Sequence, residues 1–139
     1  MNIKNILLAT ISYVVLTMSI AYPWHMIWFH ELYIEIGAYT RPDPIVPLGM
    51  SSMLMQGLII AYLYPYYYSG GRPIVEGIKF SLIMGAIVYS VMGLAMVAKV
   101  NINPISTYLV YNLAFQLIQY TITGIALGLI YGKIKAVEK

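Results

Sequence analysis

Four runs of predominantly apolar residues leave this chain little choice of fold: Asn5 to Phe29, Pro47 to Tyr67, Glu76 to Lys99 and Ser106 to Tyr131. Each reaches the length of about 20 residues needed to cross roughly 30 Å of hydrocarbon. Backbone N–H and C=O groups find no water in lipid, so runs of this kind become helices that satisfy those groups internally. The connecting stretches are punctuation that a helix interior tolerates poorly: "RPDPIVP" from Arg41, "SGGRP" from Ser69 and "NINP" from Asn101. The expectation is an all-α membrane protein, a bundle of four transmembrane helices in one domain.

Composition narrows the function. The chain is 60% hydrophobic and only 9% charged, whereas soluble domains carry about 25% charged residues. It has no Cys, which excludes thiolate nucleophiles, disulfide frameworks and Cys-ligated zinc or iron-sulfur sites. The net charge of +3 comes from residues scattered at span ends rather than clustered, so nucleic acid is not an expected partner. The basic residues read instead as a topology signal. Lys4, Arg72, Lys79, Lys133, Lys135 and Lys139 fall on one side and only Arg41 and Lys99 on the other. That bias predicts a multi-pass protein of the cytoplasmic (inner) membrane with both termini cytoplasmic. "SIA" at Ser19 to Ala21 has the small-x-small form of a signal-peptide cleavage site, yet the apolar run continues through Met26, Ile27, Trp28 and Phe29, which favours a retained first helix.

Aromatic residues gather at the predicted span ends, where rings sit among headgroups. Tyr22, Trp24, Trp28, Tyr108 and Tyr111 would mark the outer boundary, and Tyr62, Tyr64, Tyr66, Tyr67, Tyr68 and Tyr131 the inner one. Small residues recur at four-residue spacing on two spans, as Gly77, Ser81 and Gly85 and as Gly124, Gly128 and Gly132. Helices in lipid approach closely along such stripes. Tight contact between the third and fourth helices is expected, with a homodimer seam as the alternative.

"ISYVV" from Ile11 and "IVYSV" from Ile87 share Ile-x-Tyr-x-Val, and the spans that follow carry Gln56 in "SMLMQGL" and Gln116 in "NLAFQLI". The match suggests two helical hairpins related as a parallel repeat, with Tyr13, Tyr89, Gln56 and Gln116 meeting near the bilayer centre. On the fourth span Tyr108, Asn112, Gln116, Gln119 and Thr123 follow helical spacing and form one polar stripe. Such a stripe serves either as interhelical glue or as the lining of a path for a small polar or amphipathic molecule. The middle of each span lacks Asp, Glu, Arg and Lys, which argues against ion-coupled pumping.

The stretch "YPWHMIWFHELYIE", Tyr22 to Glu35, concentrates the potential ligands. On a continuous α-helix Trp24, Trp28, Glu31 and Glu35 would share one face. The His and Glu spacings there are not the i, i+3 or i, i+4 of a helical metal site. A metal held by His25, His30, Glu31, Glu35 and Asp43, or a haem, would need help from a loop or a second chain. No cofactor is therefore predicted, and these residues are expected to solvate a helix end. Arg41 is placed to pair with Glu31 or Glu35. "YSGGRP" is a turn between apolar runs rather than a phosphate cradle, and no Ser, His and Asp share a catalytic spacing.

The aromatic "AYPWHMIWF" followed by "RPDPIVP" and three further spans resembles small prokaryotic four-helix integral membrane proteins to which no activity is assigned. The resemblance covers most of the chain by pattern and implies fold and membrane location alone. The functional expectation is a non-catalytic accessory or assembly subunit that presents the aromatic, acidic outer segment to a partner in a larger membrane complex, or to lipid. The alternatives are a small dimeric transporter or channel using the polar stripe, and a redox or metal subunit using His25 and His30.

Overall fold

The structure, a computed structural model, describes residues 2–132. Five α-helices, α1 (Ile3–Tyr22), α2 (His30–Glu35), α3 (Val46–Tyr67), α4 (Pro73–Tyr89) and α5 (Ile105–Tyr131), are joined by connections that include two π-helical segments, Pro23–Trp28 and Ser90–Ala95. No strand occurs among the described residues. Four helices are long and apolar enough to cross a membrane: Ile3–Trp28, Val46–Tyr67, Pro73–Ala95 and Ile105–Tyr131. The chain is an all-α, multi-pass membrane protein built as a four-helix bundle. The third span starts at Pro73 rather than Glu76, because a proline at the first helical position loses no intrahelical hydrogen bond. Lys133, Lys135 and Lys139 lie outside the described residues. The bundle has an aromatic end, carrying α2 and the connections around residues 36–45 and 98–104, and a terminal end with Asn2, residues 68–72 and Gly132.

α5 is the central helix, with buried residues from Tyr108 to Tyr131. α4 lies along it through small residues. A Cβ on Gly128 would sit 2.6 Å from Ile74 Cα, one on Gly132 2.6 Å from Pro73 Cβ, and one on Gly85 2.7 Å from the Tyr120 ring. Gly77 and Gly124 meet backbone still more closely, and Ser81 is fully buried. Both small-residue stripes thus lie in one seam within a single chain. On the other side of α5 runs α1, and α3 packs on α1 at Gly57, where an added Cβ would lie 3.0 Å from the Tyr13 ring and 3.2 Å from the Thr10 carbonyl oxygen. α3 buries Gly57, Ile60, Ala61 and Tyr64, whereas none of its residues from Val46 to Met55 is buried.

Tyrosines stitch the helices at both ends. Pro65 lies inside α3 and has no N–H for the carbonyl of Ala61. Tyr131 Oη from α5 donates to that carbonyl at 2.8 Å. Tyr64 Oη donates to the Pro73 carbonyl at 3.2 Å, and Tyr68 Oη to that of Gly71 at 3.4 Å. At the aromatic end Tyr108 Oη donates to the Met92 carbonyl at 2.7 Å inside the second π segment, and Tyr89 Oη to Leu109 at 3.3 Å. Gly93 makes room for the Tyr89 ring, which a Cβ there would approach to 2.7 Å.

These bonds correct the aromatic-belt expectation. Tyr64, Tyr68, Tyr108 and Tyr131 are buried between helices, and Trp24 is partly buried, while Tyr22, Trp28, Tyr62, Tyr66 and Tyr67 remain exposed. A phenol near a helix end can turn inward and donate to a backbone carbonyl of a neighbouring segment, and in lipid that pairing is favoured over an unsatisfied hydroxyl.

Candidate functional site

At the centre of the bundle α1, α3 and α5 share a polar network. Tyr13 Oη donates to Gln56 Oε1 at 2.7 Å and accepts from Gln119 Nε2 at 3.1 Å. Gln119 Nε2 also donates to Thr17 Oγ1 at 3.0 Å, and Tyr120 Oη reaches Gln56 Oε1 at 3.4 Å. Gln56 Nε2 returns to Ser52 Oγ on its own helix at 3.1 Å. With both amides engaged through oxygen or nitrogen, the cluster is self-contained. Thr17, Ser52 and Tyr120 were not singled out by sequence. Thr17 lies one turn beyond Tyr13 and Ser52 one turn before Gln56, and that periodicity is the signal that could have found them.

The other candidates divide away from this network. Tyr89 and Gln116 do not join Tyr13 and Gln56. They line a separate groove of about 210 Å3 between α4 and α5, floored by Gly85. The reason is height: Tyr13 lies midway along α1, whereas Tyr89 closes α4. The α5 stripe is also mixed in its bonding. Tyr108 and Gln119 are hydrogen-bonded, while the buried side-chain oxygens of Asn112, Gln116 and Thr123 have no partner among the described residues.

The aromatic end departs from the continuous-helix expectation. Pro23 cannot donate to the carbonyl one turn back, and the chain widens into the π segment Pro23–Trp28 before Phe29 leaves helical geometry at φ −123°, ψ 16°. The wheel that aligned Trp24, Trp28, Glu31 and Glu35 therefore does not hold. His25 turns onto rings instead, with its ring edge-on to Phe115 at 4.6 Å and 5.2 Å from Tyr33. Tyr33, 1% exposed, accepts from Trp24 Nε1 at 3.3 Å and stacks on Tyr39 at 5.1 Å. Phe29 bridges Trp24 and Tyr111 at 4.7 and 4.8 Å. Contacts of this kind contribute about 0.5–1.5 kcal/mol each beyond area burial. Burial pushes up the phenol of Tyr33, against a weaker lowering by Trp24, and that of Tyr39, which Tyr33 and Tyr108 raise further.

Backbone closes this block. Gly37, at φ +78°, lets Ala38 and Tyr39 N–H groups turn back to the Tyr33 carbonyl at 2.9 and 3.1 Å. Asn103 N–H then donates to the Ile36 carbonyl at 3.0 Å, tying the two connections together. Glu31, Glu35 and Asp43 are exposed on the outside of this block. His30 Nδ1 stands 3.7 Å from a Glu31 carboxylate oxygen, which lies on a side chain 94% exposed. Among the described residues no three of His, Cys, Asp and Glu come together as metal ligands. His25, His30, Glu31, Glu35 and Asp43 thus do not converge within one chain, because the π turn and the break at Phe29 separate the two histidines. Arg41 pairs with neither Glu31 nor Glu35, and it makes no hydrogen bond among the described residues.

Beside the block is a cavity of about 480 Å3, whose lining includes Met26, His30 and Ile34 from the end of the first span and α2 and Tyr39, Thr40 and Arg41 from the connection that follows. Sequence reasoning passed over it, since a cavity made by a turn folding back on a broken helix has no periodic signature. Compared with protein-family models, curated proteins and solved structures, the chain matches none.

Proposed function

We propose that the protein is a non-catalytic accessory subunit of a larger assembly in the cytoplasmic membrane, oriented with its termini inside and its aromatic end outside. The observation that carries this reading is the construction of that end. A block of interlocked rings and cross-tied backbone carries Glu31 and Glu35 in exposed positions on α2, with Asp43 exposed on the connection that follows. A rigid scaffold presenting charge lowers the ordering cost of association, and carboxylates on it favour a partner with a basic surface at the same level. Among the described residues Lys4, Arg72 and Lys79 lie toward the terminal end against Arg41 and Lys99 toward the aromatic end, a bias that supports the orientation.

The test is photo-cross-linking in native membranes from probes at positions 31 and 35, with lipid-facing Ile83 as the control position. A single protein adduct of defined mass from 31 and 35, lost when the remaining carboxylate is changed to Lys, is expected. Adducts equally from position 83, or none from 31 and 35, would overturn the reading.

A second reading, carriage of a small amphipathic molecule, draws on one observation: the buried Gln116 amide oxygen has no hydrogen-bond partner among the described residues, and Gln116 lines the groove between α4 and α5.

A further inference from the structure

The cavity beside the aromatic block combines two chemical features in one lining. Part of its lining is apolar and continues a membrane span: Met26 belongs to Ile3–Trp28, and Met26 and Ile34 are 39% and 46% exposed. The same lining includes a cation and two hydroxyl-bearing residues, Arg41, Thr40 and Tyr39, and none of these side chains has a hydrogen-bond or ion-pair partner among the described residues.

The charge pattern selects the occupant. Glu31, Glu35 and Asp43 all lie on the segment that folds around this cavity, yet none lines it and none neutralises Arg41. A cavity without carboxylates does not suit a metal cation. A guanidinium beside hydroxyl donors suits the oxygens of a phosphate, which Arg engages with paired N–H groups. A free inorganic anion would leave the Met26 and Ile34 wall facing water, whereas a lipid covers it with glycerol and acyl carbons.

We propose that this cavity holds a bilayer phospholipid, its phosphodiester on Arg41 and Thr40 and its upper acyl chain against Met26 and Ile34. The site recognises the phosphate rather than the rest of the headgroup, since among the lining residues Arg41 is the only formally cationic one, His30 being the other basic side chain. It is independent of the partner surface proposed above, which lies on the outward carboxylates.

The experiment is native mass spectrometry of the full chain in neutral detergent, titrated with dioleoylphosphatidylglycerol and, separately, with dioleoylglycerol, which lacks the phosphate. One phospholipid per chain is expected to be retained with saturation, about tenfold more tightly than dioleoylglycerol. Arg41→Gln is expected to reduce phospholipid retention to the dioleoylglycerol level, while Lys99→Gln leaves it unchanged. Arg41 is exposed and unpaired, so its substitution does not threaten the fold, and the unchanged melting temperature of the variant checks this. Equal retention of the two lipids, equal effects of the Arg41 and Lys99 substitutions, or displacement of the phospholipid by inorganic phosphate would each overturn the proposal.

Discussion

The hydroxyl of Tyr131, at the end of α5, donates at 2.8 Å to the carbonyl of Ala61, the acceptor that Pro65 one turn further along α3 cannot serve. A side chain from one helix stands in for a missing backbone donor in another. Tyr131→Phe is expected to cost about 1 kcal/mol, in the range of single interhelical hydrogen bonds in membranes. Pro65→Ala restores an amide to Ala61, so Tyr131→Phe should cost markedly less in that background. Reversible unfolding of the four proteins of the double-mutant cycle in mixed micelles measures the coupling, and equal costs in both backgrounds would sink the explanation.

The seam between α4 and α5 sets a sharp contrast among glycines. Gly124→Val and Gly77→Val push a side chain into the facing backbone and are expected to cost about 3 kcal/mol or more. Gly49→Val, with nothing within 4 Å of the added Cβ, should leave stability within about 0.5 kcal/mol of the parent. Thermal stability in detergent, followed by size-exclusion chromatography, separates the two outcomes.

The central network and the groove amide respond in opposite directions. Tyr13→Phe removes one partner each from Gln56 and Gln119 and is expected to destabilise by about 1 kcal/mol. Gln116→Leu removes a buried amide whose oxygen has no partner among the described residues, so stability should hold or rise by about 1 kcal/mol. If the carrier reading is right, flux of the carried molecule into proteoliposomes stops in Gln116→Leu despite that unimpaired stability. A clear loss of stability would show that the amide is paired.

Alkaline pH should loosen the aromatic end. The folded state raises the phenols of Tyr33 and Tyr39 above their ordinary value of 10.0, chiefly by burial, so folding favours their neutral forms. That contribution is complete below the ordinary value and falls as pH climbs from there through the raised folded values. Unfolding measured from about pH 9 upward should show the decline, and Tyr39→Phe should flatten it. An identical decline in Tyr39→Phe would place its origin elsewhere.

Protein purified in mild detergent from native membranes is expected to be colourless and free of stoichiometric metal. His25 packs among rings and His30 lies beside one carboxylate, which gives a metal ion too few ligands within one chain. Absorption spectroscopy with elemental analysis provides the check, and a Soret band or one metal per chain would point to a site completed by a second copy.

The four spans were legible because apolar length in a bilayer admits few outcomes. The stripes Gly77, Ser81 and Gly85 and Gly124, Gly128 and Gly132 were visible for a related reason: helical periodicity records which residues share a face. What periodicity does not record is a change of period. Pro23 converts the end of the first span to a π turn, which rotated His25 away from the wheel position that α-helical spacing assigned. Tyr64, Tyr108 and Tyr131 were misplaced because a tyrosine near a span end satisfies its hydroxyl equally well with headgroup water or with a backbone carbonyl of a neighbouring helix. Only the facing helix decides between them. The cavity at Arg41 was invisible because its walls come from segments whose meeting depends on the backward turn at Gly37.

α5 is the most buried helix, and it follows the other three spans in the chain. Until it is synthesised, Tyr13, Thr17 and Gln56 stand in the membrane without Gln119 and Tyr120, the Ala61 carbonyl lacks its donor, and the glycine face of α4 has nothing to close upon. The bundle is thus a vault whose keystone is laid last: a ribosome-bound intermediate with three helices inserted exposes its polar groups to lipid, and an insertion machinery that shields them has a defined moment at which to let go.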